Sequence, residues 1–160
     1  MKKKKKNVCK NDNEEKCAKI TIAWYPGHMA KTKKQIKENI DLIDIVYEVI
    51  DSRIPVSSKN KDIDEMIKNK PRILIMTKYD LCDIQKTKKW QEYYQQKGYK
   101  VILVDLINKP NLQMIYDETT NLLKELNEKR IAKGLKERKA RALILGIPNV
   151  GKSTLINRLV

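Results

Sequence analysis

The segment Gly146-Ile147-Pro148-Asn149-Val150-Gly151-Lys152-Ser153 has the spacing G-x-x-x-x-G-K-S, and each fixed residue type in it has a chemical reason. Glycines at both ends let the backbone curl until successive N–H groups point into one hollow, an anion nest at the start of a helix. A lysine at position 152 reaches the outer phosphates of a nucleotide, and the Ser153 hydroxyl is suited to ligate Mg²⁺. The plainer alternative is a Gly-rich strand-to-helix turn with a solvated lysine. The flanks favour the phosphate site: Leu143-Ile144-Leu145 is a short apolar run, and Ser153-Thr154-Leu155-Ile156-Asn157-Arg158-Leu159 has helical periodicity. Pro148, Asn149, Val150 and Thr154 are therefore taken with the glycines, Lys152 and Ser153 as the phosphate-binding set.

A phosphate loop alone does not choose a base. Upstream, Arg72-Ile73-Leu74-Ile75-Met76 reads as a strand buried on both faces, and it ends in Thr77-Lys78-Tyr79-Asp80. This has the form N-K-x-D with threonine in place of asparagine. A carboxylate at position 80 can accept two hydrogen bonds from N1–H and the exocyclic amine of guanine, and adenine offers neither donor. Binding adenine would leave a desolvated carboxylate unpaired, a mismatch of the kind that sites discriminate by factors of roughly 10⁴. The Lys78 stem can lie along the base face. Thr77 keeps a hydroxyl but loses the amide, which predicts weaker anchoring rather than lost specificity.

The order is unusual, since the base-reading turn precedes the phosphate loop. A site assembled from strand ends tolerates this, because it does not depend on how the strands are connected. Trp24-Tyr25-Pro26-Gly27-His28-Met29-Ala30-Lys31, then Asp51-Ser52-Arg53-Ile54-Pro55-Val56-Ser57-Ser58, then Thr77 to Asp80, then Gly146 to Leu159, together resemble the YlqF/YawG-type circularly permuted GTPases. The resemblance runs from Ile20 to Val160. It implies a doubly wound α/β P-loop GTPase domain that binds GTP and Mg²⁺ and assists late maturation of the large ribosomal subunit on its rRNA. It also puts Asn149 where such proteins place an asparagine that helps to hold K⁺. The sole histidine, His28, sits beside a Pro-Gly turn. A lone histidine is more often a packed or capping group, but these proteins generally lack the usual water-orienting glutamine, and His28 is the candidate to position water by hydrogen bonding.

Two departures accompany the resemblance. Leu103-Val104-Asp105-Leu106-Ile107 lacks the small Ser/Ala pattern that completes the base site in the family. The switch threonine, D-x-x-G turn and helical C-terminal domain have no counterpart here, so a truncated chain is expected. By the same resemblance, strands near 43–50, 72–77, 101–105 and 142–146 would form a contiguous parallel half-sheet. The phosphate-loop strand would then be an edge, a position that invites pairing.

The elements that must position these groups alternate between strand and helix, as a doubly wound domain requires. Met29–Ile40 reads as a basic amphipathic helix, Ile43–Ile50 as a strand and Asp62–Lys68 as a short helix. Asp83 is placed to cap a helix running to Lys97 with Gly98 stopping it, and Leu112 to about Lys129 gives another helix. Asp51 and Arg53, at a strand end on the binding edge, are read as a structural ion pair rather than an RNA contact.

The 160 residues suffice for one core and carry a net charge of +15, which suits a polyanionic partner. Residues 1–19 hold eight Lys against three acids (+5) and are read as a disordered basic arm, leaving 20–160 as a partial G domain. Residues 124–141 hold eight Lys or Arg against three Glu, again +5. Seven Tyr and two Trp are scattered along the chain, and no stacking platform is evident. No apolar stretch is long enough to span a membrane, and no apolar run follows the lysine-rich start to make a secretory signal. Cys9, Cys17 and Cys82 are odd in number and lack metal-ligand spacing, which fits a reducing cytoplasm. A stable homo-oligomer is not expected. Two functions fit: a GTPase that assists ribosome assembly, or a non-catalytic RNA-binding remnant of one.

Overall fold

The computed structural model describes residues 27–67, 70–108, 111–135 and 140–159. The chain divides into two units, Met1–Lys34 and Gln35–Val160. The basic arm 1–19 and Trp24-Tyr25-Pro26 lie outside the described residues, as does the side chain of His28, the second residue of helix α1 (Gly27–Asn39).

The second unit is organised around β1 (Ile45–Asp51), a strand buried along its whole length. Its β-branched composition suits a pleated surface covered on both sides. β2 (Arg72–Thr77) pairs with it in parallel from Val46↔Arg72 to Asp51↔Thr77. β3 (Lys100–Leu103) adds outside β2, and β4 (Ala142–Leu145) pairs with the other side of β1, giving the order β3-β2-β1-β4. The phosphate-loop strand is therefore at the margin of the described sheet.

Parallel neighbours need crossovers, which are supplied by α2 (Lys61–Met66), α3 (Ile84–Gln96) and α4 (Gln113–Ala132); α5 (Lys152–Leu159) follows β4. The period-2 alternation of β1 divides the core. Ile45, Tyr47 and Val49 pack with Ile115 and Leu123 of α4 and Leu155 of α5 on one face. On the other face Ile50, Leu74 and Met76 meet Tyr94 of α3, while Val46 meets Ile63 of α2. Helices thus cover both faces, as in doubly wound folds.

Local signals set the boundaries. The Asp83 carboxylate accepts from the amides of Gln85 and Lys86, capping α3, and Gly98 turns the chain away at φ +84°. Asn60 caps α2 by accepting from Asp62 N–H. β1 begins at Ile45 rather than Ile43, because the Ile43 amide closes a 3₁₀ turn on Ile40. β3 ends at Leu103, short of 105. Beyond it Asp105 folds back to accept from the amides of Ile107 and Asn108, at 2.9 and 3.0 Å.

In the middle of β1, ahead of its terminal Asp51, one residue breaks the apolar pattern. Glu48 is fully buried on the α2–α3 face, 3.1 Å from the Arg72 guanidinium and 3.3 Å from the Lys59 amine. Both cations also reach Asp64. Burial pushes the Glu48 carboxyl above its ordinary range against the pull of the two cations.

Candidate nucleotide site

The phosphate loop leaves β4 at Gly146, whose φ of +155° carries the backbone past β1. A Cβ built there would stand 2.4 Å from the Val49 carbonyl oxygen, so only glycine fits. Asn149 (φ 63°) and Gly151 (φ 92°) both take the left-handed conformation that curls a loop around a hollow. Val150 is buried in the core and anchors the loop, whereas Pro148 and Asn149 stay exposed. Lys152 opens α5 and donates 2.6 Å to the Ile147 carbonyl across the loop it would serve. Partial burial holds its amine below the ordinary lysine range, a cost that bound phosphate would offset. The Ser153 and Thr154 side chains are exposed at the first turn of α5.

The candidate base-reading turn, Thr77–Asp80, follows β2 and lies against this loop. Thr77 is fully buried, and its hydroxyl stands 2.6 Å from the Val150 carbonyl and 3.1 Å from the Ile50 carbonyl. A single hydroxyl proton serves one acceptor at a time, so the oxygen bridges β1, β2 and the phosphate loop. Lys78 has the left-handed φ of 58°, and its amine donates 2.6 Å to the Asn149 carbonyl. The Thr77 and Lys78 side chains thus join two turns 73 and 71 residues apart in sequence. Sequence reasoning predicted weaker anchoring from the Asn-to-Thr change; the hydroxyl that remains makes a short buried contact with the loop. Asp80 is exposed in the short 3₁₀ turn Tyr79–Leu81.

Asp51 forms the platform beneath Lys78. Its buried carboxylate accepts from Arg53 Nε at 3.0 Å, Arg53 Nη2 at 2.8 Å and the Arg53 amide at 3.0 Å, and the Lys78 amine lies 2.9 Å away. Arg53, followed by Lys78, holds the Asp51 carboxyl far below the usual carboxylate range. The ion pair expected between Asp51 and Arg53 is present, and it extends to the base-reading lysine. Leu106, beyond β3, fills the remaining side: its Cδ1 would lie 3.5 Å from a Cβ on Gly151. The sequence marked Leu106 only as part of Leu103–Ile107, the segment that departs from the family's base-site pattern, and the Asp51–Lys78 link required the Asp51↔Thr77 register.

A parallel sheet with helices on both faces, carrying a G-x-x-x-x-G-K-S loop after its last strand and a T-K-x-D turn two strands earlier, is a P-loop GTPase fold in permuted order. The 50S ribosome-binding GTPase family model matches residues 141–160. The chain is 49% identical over 140 residues to ribosome biogenesis GTPase A of Bacillus licheniformis, covering 88% of this chain and 50% of that protein. It is 33% identical over 137 residues to the mitochondrial ribosome-associated GTPase 1 of Bos taurus, covering 85% and 40%. The crystal structure of GNP-bound YlqF from T. maritima superposes with a TM-score of 0.58 at 36% identity, covering 81% of this chain and 47% of that one. In sequence and fold the chain belongs with the YlqF-type circularly permuted GTPases. It spans about half the length of the curated relatives it matches.

Proposed function

We propose that this chain provides the guanine-reading and phosphate-gripping half of a GTPase that assists assembly of the large ribosomal subunit in the cytoplasm, in contact with rRNA. The observation that carries this is the pair of contacts Thr77–Val150 and Lys78–Asn149, which put the base-reading turn and the phosphate loop on one rim. The names of the relatives support the ribosomal setting, and the net charge of +15 suits an RNA partner.

Each residue then has a task. The amides from Gly146 to Ser153 and the Lys152 amine receive the phosphates; Lys152 gives up its bond to the Ile147 carbonyl to do so. The exposed Ser153 hydroxyl is placed to hold Mg²⁺, which when bound neutralises phosphate charge, and exposed Asn149 is the candidate K⁺ contact. Asp80 accepts from the guanine edge while Lys78, braced by Asp51, lies along the base. His28 remains the candidate for orienting water.

Titration with fluorescent GTP and ATP analogues in the presence of Mg²⁺ tests the reading. Saturable binding selective for guanine, abolished by Lys152→Ala and by Asp80→Ala, is the expected result. Equal affinity for both analogues, or binding indifferent to both substitutions, overturns it. Salt-sensitive RNA binding with no nucleotide affinity would instead favour the non-catalytic remnant.

A further inference from the structure

Three of the seven tyrosines gather with one tryptophan at a single place on the surface. Trp90, Tyr93, Tyr94 and Tyr99 form a run of ring contacts, with centroids 5.4 Å apart for Trp90–Tyr93, 5.3 Å for Tyr93–Tyr94 and 5.8 Å for Tyr94–Tyr99. Beside this run lies a groove of about 240 Å³ on the α2–α3 face, away from the phosphate loop. Lys59, Lys61 and Lys97 line it together with Tyr93, Tyr94 and Tyr99.

The parts divide by role. Tyr94 is buried, and its hydroxyl donates 3.2 Å to the Pro55 carbonyl, so it is a wall. Tyr99 is held from above by Arg72, 4.5 Å from the ring centroid. Tyr93 is 41% exposed, with the Lys97 amine over its ring 4.3 Å from the centroid, a mobile cation that an incoming base can displace toward its own phosphate. Lys59 and Arg72 are shared between Asp64, the acid in the groove lining, and buried Glu48, so the surplus positive charge of the groove is that of Lys61 and Lys97. On α3, Lys86 and Lys89 continue the exposed face on which Tyr93 and Lys97 lie, at helical spacing.

We infer that this groove is a binding surface for single-stranded RNA, with one base stacked on Tyr93 and the neighbouring phosphates held by Lys61 and Lys97. Aromatic surface flanked by cations is the combination that binds unpaired nucleic acid strands, because every base has a π-face and every nucleotide a phosphate. A duplex keeps its bases stacked and cannot use the ring. An acidic protein segment would use the lysines but not the exposed ring face. The inference takes its RNA partner from the proposed function, but it rests on a separate surface.

The test is anisotropy of a short labelled oligouridine with the full chain. Tyr93→Ala should weaken binding about 5- to 150-fold, the range measured for one lost base stack, while Tyr93→Phe stays within about twofold of the parent. Replacing Lys61 and Lys97 by alanine should lower the slope of log affinity against log salt by about 0.7 per lysine. Photocrosslinking of a 4-thiouridine version should mark the α3 segment. The basic arm contributes a background that does not respond to Tyr93. Unchanged affinity in Tyr93→Ala, crosslinks confined to other segments, equal affinity for duplex, or equal displacement by polyglutamate would each overturn the inference. Oligouridine binding that depends on Tyr93 in a chain without guanine affinity would remove the nucleotide reading and leave this surface standing. Guanine-selective binding with no effect of Tyr93→Ala would do the reverse.

Discussion

Thr77→Val is the sharpest single probe of how the two turns are joined. Valine keeps the branched shape and removes only the hydroxyl, which stands 2.6 Å from the Val150 carbonyl and 3.1 Å from that of Ile50. Thr77 is fully buried and Val150 is 2% exposed, so no water is at hand to replace the lost proton. Leaving a buried acceptor unsatisfied costs about 1–3 kcal/mol, and a better-buried methyl group returns less than 1 kcal/mol of that, roughly. A net loss of about 1–2 kcal/mol in urea unfolding is expected. The same contact fixes the loop against the base-reading turn, so affinity for a fluorescent GTP analogue should fall on the order of tenfold. Thr77→Ser, which keeps the hydroxyl, should retain most of both. If Thr77→Val lies within about 0.5 kcal/mol of the parent and within about twofold in affinity, the hydroxyl does not couple the turns and the reasoning fails.

Two further perturbations probe the same rim. Gly146→Ala must push a methyl group to 2.4 Å from the Val49 carbonyl in a backbone region that side chains rarely adopt, and should cost more than about 2 kcal/mol; Gly134→Ala, with open space around it at φ +71°, should cost only about 1 kcal/mol of backbone strain in the same unfolding assay. Asp51 has a folded-state pKa lowered by Arg53 and Lys78, so the native state resists its protonation more than the unfolded chain does. Its contribution is present at neutral pH and is lost as pH falls below the ordinary carboxylate range, and Asp51→Asn should flatten that descent when urea midpoints are compared at about pH 6 and pH 2.

Much of this was legible where the signal is local. The α3 helix is framed by Asp83 and Gly98, and Ile73–Met76 is apolar because both faces of β2 are covered; neither needs knowledge of the rest of the chain. The phosphate loop announces itself because its chemistry fixes residue types at fixed spacing. What stayed hidden depends on register. Glu48 reads as an interruption in an apolar strand until β2 sets Arg72 beside it and the α2 segment brings Lys59. The Tyr93–Tyr99 groove draws on residues before α2, in α3 and before β3, which meet only through the β1-β2-β3 order. From sequence, Thr77 reads as a residue lacking the amide, and the contact of its remaining hydroxyl with the Val150 carbonyl needs the β2 turn and the phosphate loop side by side.

The β1–β4 pairing has a temporal side. Asp44 and Arg141, which clasp the start of that pairing at 2.8 Å, lie 97 residues apart, whereas Glu48 and Arg72 across β1 and β2 lie only 24 apart. A fourfold longer closure costs about 1.2 kcal/mol more chain entropy. On a ribosome adding about 5–20 residues per second, β4 also emerges several seconds after β2. A nascent molecule of this design therefore sets down the rim that ends β2 first, and the glycine-rich loop clicks in only once the youngest strand arrives.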